Sequence, residues 1–396
     1  MVGNTNLGAA KKAKQDEFYT QWADIEREMN AYLEYDPDVF RDKTVLLPCD
    51  DPEWSNFTKF FALHFTEFGL KKLISTSYAP ESNAEGTFYQ PTLFETTAPD
   101  YDAMKSRAHG RVFTLIPEDI TGDGRVDIED LRWEYLQGDG DFRSPEVTQL
   151  RDQADIIITN PPFSLFREYV AWLIEGGTRF TMIGNQNAIT YKEVFPLIKE
   201  NRLWLGKGFP RNMAHFGTPY VVHSQWVEQE GDGIVRVPGV QWFTNIDHGR
   251  RHEPLHLMTV ADNIKFSKHK EVRGVGYQCY DNFDAIEVPF TDAIPSDFDG
   301  LMGVPITFLN KYNPDQFEIL GTSQSWDASG LKTKTYPTQT QITKTGVRSQ
   351  VGKLNDGGAL KVTVAPDSTH YEVDSELFVQ PFKRIFIRHR TTPKRG

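Results

Sequence analysis

Cys49 and Cys279 are the only two cysteines among 396 residues. A disulfide framework and a cysteine-rich zinc site are therefore excluded. No apolar run approaches the roughly 20 residues that a membrane-spanning helix needs. The opening MVGNTNLGAAKKAKQDEF lacks the apolar stretch of a secretory signal, so the cytoplasm is the expected compartment. Repeats at a fixed period and long low-complexity tracts are also missing, which excludes a solenoid and an extended disordered chain. The length suffices for two domains, each with its own core.

Positive charge is in deficit. Lys and Arg number 43 against 55 Asp and Glu, a net charge of −12. That balance alone argues against nucleic acid, but the deficit is uneven. Residues 1–200 carry 20 basic against 34 acidic side chains, whereas residues 331–396 carry 12 against 5. An acidic body with a basic carboxyl-terminal segment suits a catalytic domain with an attached nucleic-acid-binding part; a solvated basic tail gives the same count. Lys11, Lys12 and Lys14 lie in a polar amino-terminal arm and are candidates for phosphate contact.

The most informative stretch is ADIIITNPPFSLFREYVA, Ala154 to Ala171. Ile156, Ile157 and Ile158 form a β-branched run that predicts a strand buried on both faces. Asn160-Pro161-Pro162-Phe163 ends it at once, because two prolines forbid both strand and helix. Ser164 is placed to cap a helix with Leu165, Phe166, Tyr169, Val170 and Leu173 on its apolar side. Open α/β sheets bind ligands beyond the carboxyl ends of their strands, so this turn is a candidate site. The Asn160 amide oxygen beside a fixed backbone carbonyl offers two acceptors to one planar NH2 group. Phe163 offers a face to a planar ring. Asn160, Pro161, Pro162 and Phe163 are the candidate catalytic residues, although a plain strand–turn–helix has the same elements.

Elsewhere the chain reads as alternating elements. A helix runs through Ile25, Met29 and Leu33. KTVLLPCDDP, Lys43 to Pro52, is a strand entering a tight acidic turn. Phe57, Phe60, Phe61 and Phe65 mark the buried side of the next helix, and KKLIS, Lys71 to Ser75, is a second strand. Strand–helix–strand predicts the start of a doubly wound α/β sheet. GRVFTLI, Gly110 to Ile116, alternates and predicts another strand. Pro117 to Leu131 nearly matches a calcium loop, with Asp119, Asp123, Asp127 and Asp130 at ligand positions. Asp130 replaces the usual bidentate Glu, and a strand rather than a helix precedes the loop, so a turn leading into a capped helix accounts for it better. Arg179 to Asn185 predicts a strand, Tyr191 to Asn201 a helix, and Arg202 to Gly206 a strand. From about Lys207 short alternating segments take over: Val221 to Val227, Val235 to Asn245, Phe317 to Gly321, Lys361 to Ala365 and Phe382 to Arg390. They predict a second, mostly β domain.

The order EFYT, then CDDP with SNF behind it, then GDGDFRS, then TNPPFSLFREY resembles the EcoRI-type adenine-specific DNA methyltransferases. The resemblance spans residues 10–210 closely and the remainder loosely. It implies a Rossmann-like class I methyltransferase domain over residues 1–209. A smaller β-rich target-recognition domain would follow over residues 210–396. It further implies S-adenosylmethionine as methyl donor and N6-methyladenine in double-stranded DNA as product. On this resemblance Asn160 and the Pro161 carbonyl accept hydrogen bonds from the adenine amine, and Phe163 stacks on the base, which must be flipped out of the duplex. Phe18, Tyr19 and Thr20 look like the amino-terminal cofactor motif. Asp141 and Phe142 sit where contacts to the cofactor's adenine are expected. The usual Gly-rich first loop is replaced by Pro48-Cys49-Asp50-Asp51-Pro52. Cys49, Asp50 and Asp51 thus become cofactor candidates, with either aspartate open to the methionine amine or the ribose. The second strand ends in Ser75-Thr76-Ser77, without the acidic ribose ligand. For DNA, Arg384, Arg388 and Arg390 join the amino-terminal lysines as candidates. A restriction endonuclease sharing the site is the implied partner, no membrane is involved, and a monomer is expected.

Rival chemistries remain at this stage. N4-cytosine methylation also attacks from an exocyclic amine, though more often with Ser in place of Asn. Enzymes acting on a protein amide or on guanine in RNA share the turn, but usually keep a Gly-rich first loop. C5-cytosine methylation needs a Pro-Cys nucleophile; Pro48-Cys49 has that dipeptide, but on the first strand. A non-catalytic DNA-binding protein on the same scaffold is the rival from another class, and the intact NPPF speaks against it.

Overall fold

The computed structural model describes residues 19–52, 55–79, 101–217, 228–230 and 233–390. Phe18, Lys11, Lys12, Lys14 and the expected strand Val221 to Val227 lie outside these. The chain forms two compact units. One comprises the described residues up to Ala188 together with Leu203–Gly249; the other comprises Ile189–Arg202 together with residues 250–390. The overall class is mixed α/β, with one large sheet and three smaller ones among the described residues.

The large sheet lies in the first unit. It is built from β2 (Thr44–Leu47), β3 (Lys72–Ser77), β4 (Arg111–Leu115), β5 (Arg132–Tyr135), β6 (Ile156–Thr159), β7 (Arg179–Asn185), β8 (Trp204–Leu205) and β12 (Val240–Thr244). The order is β5-β4-β3-β2-β6-β7-β12-β8. Its centre, β3-β2-β6-β7, is parallel, and β4 and β12 flank it antiparallel. Every residue of β2 and β6 is buried, as continuous apolar runs in a parallel sheet require.

β12 lies beyond the expected boundary at 209/210 and pairs within the large sheet. Its five residues pair with β7 from Val240↔Asn185 to Thr244↔Thr181, so this β-rich stretch completes the first unit's sheet. A second sheet of the same unit orders β1 (Tyr19–Thr20), β9 (Met213–Gly217), β11 (Ile234–Pro238) and β10 (Glu228–Glu230) as β1-β9-β11-β10. Local alternation announced β strands here, but nothing in it distinguishes a new domain from the far edge of an existing sheet.

Helices α1 (Trp22–Tyr35) and α2 (Asn56–Leu63) bury Ile25, Met29 and Tyr32, and Phe57, Phe60 and Phe61, in one core with β2 and β6. Each fully buried aromatic contributes roughly 1.5–3 kcal/mol. Glu28 is buried on α1, yet the Tyr32 hydroxyl donates to it at 2.6 Å, and the backbone N–H groups of Lys207 and Gly208 do so at 3.1 Å. A buried carboxylate is tolerable only with such partners.

Helix α3 (Pro145–Gln153) precedes β6, and α4 (Phe166–Gly176) follows it. Ser164 does not cap α4. It sits inside a 3-10 turn, Phe163–Leu165, entered from Pro162, and the Leu165 N–H donates to the Pro162 carbonyl at 2.8 Å. The second proline tightens the chain by one turn before the α-helix begins. Helix α4 rests on β7 through Phe166, whose ring lies where any Cβ on Gly184 would be. The helix expected over Tyr191 to Asn201 shrinks to Phe195–Lys199, with Pro196 in its first turn, where a proline is tolerated.

In the second unit β13 (Ala285–Glu287), β14 (Leu301–Pro305), β15 (Phe317–Thr322) and β21 (Arg384–His389) form a sheet ordered β13-β14-β21-β15. A five-stranded sheet orders β17 (Arg348–Gln350), β16 (Thr340–Ile342), β19 (His370–Val373), β20 (Glu376–Val379) and β18 (Leu360–Val362) as β17-β16-β19-β20-β18. The Arg384 guanidinium is buried at the start of β21. It donates to both oxygens of Glu287 at 2.6–3.1 Å and to the Phe382 carbonyl at 2.7 Å, while the Tyr280 hydroxyl donates to the same Glu287. Breaking such a pair from one side strands a buried charge. Arg384→Ala is expected to destabilise the second unit by about 3–5 kcal/mol in denaturant unfolding; a loss under about 1 kcal/mol would contradict this account.

Candidate active site

Strand β2 has β3 on one side and β6 on the other, so the chain leaves β2 in one direction and returns in the opposite one. This is the topological switch point at which open α/β sheets bind ligands. The loop after β2 is Pro48–Pro52, and the turn after β6 is Asn160–Phe163. Both predicted sets of residues thus arrive at the carboxyl edge of neighbouring strands.

Side chains tie these loops together. Thr159 donates from Oγ1 to the Pro48 carbonyl at 3.1 Å. Cys49 adopts a left-handed φ of 60°, a conformation ordinarily left to glycine. Its N–H donates to Thr76 Oγ1 at 3.1 Å, and its Sγ lies 2.8 Å from the Tyr169 hydroxyl on α4. The Tyr169 ring stacks on Phe142, centroids 3.8 Å apart and planes 21° apart. The GDGD turn joins through backbone: Ala79 N–H donates to the Asp139 carbonyl at 2.7 Å, and Gly110 N–H to the Gly138 carbonyl at 2.9 Å. Gly140 has φ 86°, and a Cβ there would overlap the Ser77 carbonyl, so the second glycine of this turn permits its contact with the end of β3.

The two aspartates of the first loop have separate tasks. Asp50 is buried. It accepts hydrogen bonds from Ser55 Oγ, from Thr58 N–H at 3.0 Å and from Thr58 Oγ1 at 2.5 Å, pinning the first turn of α2. Both carboxylate oxygens are engaged by the start of α2. Burial pushes its pKa up to about 7, against the opposing effect of the Ser55 and Thr58 hydrogen bonds. Asp51 remains partly exposed and pairs with Arg111 at 2.8 Å. Arg111 opens β4, 60 residues away in sequence, and no local pattern announces the pairing.

Phe163 is half-buried and meets Phe216 of β9 edge-on, centroids 6.5 Å apart. Phe216 is also the register partner of Thr20 in β1. The NPPF turn and the Tyr19-Thr20 strand therefore converge on one residue of β9, a relation invisible in sequence. Thr20 Oγ1 is buried and has no hydrogen-bond partner among the described residues. Asn160 is half-buried at the end of β6, and Pro161 is buried. Asp141 accepts from Arg143 at 2.6–2.9 Å, and Arg143 also pairs with Glu168 on α4. Phe142 is 2 % exposed. Its ring faces Tyr169 and Trp172, so it supports the Asp141 turn from beneath instead of presenting a free face. Tyr169, read from sequence as one apolar helix position, is the residue that joins Cys49 to Phe142.

The carboxylates of the calcium-like loop Asp119 to Asp130 are taken up by the loop itself. Asp119 accepts from the N–H groups of Gly122 and Gly124, and Asp130 from those of Ile120, Thr121 and Asp127. The Thr121 and Asp127 donors lead in lowering the Asp130 pKa. Asp127 caps a 3-10 turn, and Asp123 accepts from Arg125 N–H. These carboxylates fold the loop on itself. Among the described residues no group of His, Cys, Asp or Glu is arranged to hold a metal ion, and no helix is long and apolar enough to cross a membrane. Of the carboxyl-terminal arginines, Arg384 is buried and engaged by Glu287. Arg388 is exposed beside Glu318 at 3.0 Å, and Arg390 donates to the Pro314 carbonyl at 2.6 Å.

A family profile described as adenine-specific methyltransferase EcoRI matches residues 6–389. The chain belongs to that family. It is 40 % identical over 333 residues to the type II methyltransferase M.EcoRI of Escherichia coli, covering 83 % of this chain and 92 % of the relative. Identity to the type II methyltransferase M.MpnI of Mycoplasma pneumoniae is 35 %, over 78 % of this chain and 83 % of the relative. M.MgeORF184P of Mycoplasma genitalium is 33 % identical over 80 % and 85 % respectively. No solved structure matches the chain. The family covers both compact units, and the adenine-specific reading therefore takes precedence over the rival chemistries.

Asp50 gives the site a pH signature. An unfolded aspartate loses its proton near pH 3.9, whereas the buried group holds it to about pH 7. Below about pH 4 both states are protonated and the group favours neither. Between about pH 4 and 7 the unfolded chain releases a proton that the folded chain retains, so stability falls as pH rises and levels off above. Asp50→Asn is expected to flatten this part of the curve, removing a slope of up to about 1.4 kcal/mol per pH unit. Parallel wild-type and variant curves of unfolding free energy against pH would contradict it.

Proposed function

We propose that the protein transfers a methyl group from S-adenosylmethionine to the N6 amino group of adenine in double-stranded DNA, on a Rossmann-like class I methyltransferase framework. The observation that carries this reading is the Asn160-Pro161-Pro162-Phe163 turn at the switch point of the large sheet, in a chain of the adenine-specific family.

The residues at the crevice fit this donor. S-adenosylmethionine carries no phosphate and presents an ammonium and a sulfonium, so a Gly-rich anion cradle is not required. Asp51 and Asp141 keep partly exposed carboxylates there, and they are the proposed ligands of the amine and of the ribose hydroxyls. Thr20 Oγ1, buried without a partner among the described residues, supports the amino-terminal strand as part of the same pocket. When bound, the donor supplies an electrophilic methyl group.

The protein's own contribution is orientation. Asn160 Oδ1 and the Pro161 carbonyl accept the two hydrogens of the adenine amine, turning its lone pair toward the methyl group. Both acceptors are held by a chain that two prolines have made stiff, so little entropy is lost when the base arrives. The base must leave the duplex, because its amine is paired and stacked inside. Phe163 offers the stacking face, braced edge-on by Phe216. The basic surplus of residues 331–396, 12 Lys and Arg against 5 Asp and Glu, supports a role in holding DNA, with Arg388 and Arg390 as phosphate contacts.

Purified protein incubated with labelled S-adenosylmethionine and duplex DNA should yield labelled N6-methyladenine after digestion to nucleosides; label in cytosine, RNA or protein alone would overturn the reading. Asn160→Ala should lower single-turnover methylation by about 10²-fold or more, since it removes one preorganised transition-state contact, while leaving donor binding within about threefold. Methylation at the wild-type rate would remove Asn160 from the mechanism. In a duplex with 2-aminopurine at the target adenine, binding should raise fluorescence, and Phe163→Ala should blunt the rise more than Phe163→Trp.

A further inference from the structure

The second unit contains an element that the resemblance did not single out. Residues 331–366 hold Lys332, Lys334, Lys344, Arg348, Lys353 and Lys361 against one acid, Asp356, in a chain of net charge −12. Within this block β16 and β17 form a hairpin, paired from Thr340↔Gln350 to Ile342↔Arg348. It closes over the five residues Thr343–Val347. The Thr343 N–H donates to the Val347 carbonyl at 3.0 Å, Gly346 N–H to the Thr343 carbonyl at 2.9 Å, and Val347 N–H to Thr343 Oγ1 at 3.1 Å. The tip is therefore built, with φ 80° at Gly346. β17 is the outermost strand of its sheet, and every residue from 344 to 350 is exposed.

We propose that the β16–β17 hairpin enters the major groove of double-stranded DNA and reads base edges there. The inference rests on the DNA methyltransferase reading and names the surface that selects the target. A two-stranded ribbon fits the roughly 12 Å width of the major groove. The hairpin presents Lys344, Thr345, Arg348, Ser349 and Gln350, which cover the donors and acceptors that tell base pairs apart: Arg and Lys for guanine, Gln for adenine, hydroxyls for either. Lys344 has no ion-pair partner among the described residues. Arg348 faces Glu372 at 3.0 Å, but both are solvated, and so exposed a pair is released at little cost. An edge strand that only needs protection from aggregation requires one charge and no projecting tip. Here Val347 is 60 % exposed at the tip, where water gains nothing from it and a thymine methyl would.

The test uses the full chain and plasmid DNA with tritiated S-adenosylmethionine, and maps N6-methyladenine by sequencing. Lys344→Ala with Arg348→Ala should raise the KM for plasmid at least tenfold with kcat within about threefold. Gln350→Ala should relax one position of the mapped sequence. In a Cys279→Ser background, Ser349→Cys should react freely with a maleimide in the free protein and at least tenfold more slowly when saturated with a duplex of the mapped sequence. Unchanged KM and unchanged mapped sequence, or a thiol equally reactive in the complex, overturn the hairpin as the reader. If the charge variants fold poorly, the protection experiment decides alone. A wild-type protein that methylates no adenine in plasmid DNA fails the parent reading instead, and is seen before any variant is made.

Discussion

The buried carboxyl group of Asp50 is the constraint on which the first unit's site depends. It takes the donors at the start of α2, and its own backbone is held from the other side: its N–H donates to the Thr76 carbonyl at 2.6 Å, and the Ser75 hydroxyl donates to its carbonyl. One residue thus fastens the end of β2 to the end of β3 and to a helix. Cys49, next to it, takes up a left-handed backbone and passes the connection through Tyr169 to Phe142. The loop that elsewhere would be freed by glycines is here stiffened by polar contacts. The cost is a carboxyl group removed from water, offset by hydrogen bonds on both of its oxygens.

Much of this was legible in the sequence, for a physical reason. Buried parallel strands are continuous apolar runs, so TVLL and IIIT announced themselves, and two prolines after a strand leave the chain few options. The placement of Asn160 and Phe163 followed directly. Pairings across long sequence distances were not legible. Asp51 with Arg111, Thr20 with Phe216, and Arg384 with Glu287 each join residues at least 60 positions apart. Arg384 shows the trap most clearly: a basic residue in a basic segment reads as a surface cation until its partner is located. Strands β9, β11 and β12 make the same point, since alternation identifies a strand but not the sheet that receives it.

The two acidic turns at the crevice differ from the calcium-like loop in where their carboxylates point. In the loop of Asp119 to Asp130 backbone N–H groups claim the oxygens, and the sequence motif reflects the needs of a tight turn. At the crevice Asp51 and Asp141 are held by arginines that leave part of each carboxylate in contact with solvent. Similar residue types therefore build a closed knot in one place and an approachable rim in the other.

The position of β21 has a consequence for dissection of the molecule. This last described strand lies between β14 and β15, which precede it by some 60 to 80 residues. During synthesis β14 and β15 emerge well before the strand that joins them. Truncation ahead of β21 would accordingly take out the middle of a sheet, and a shortened protein that fails to bind would report a broken scaffold before it reported a lost contact. Point changes on the exposed face are the sounder way to ask what the basic end of this chain touches.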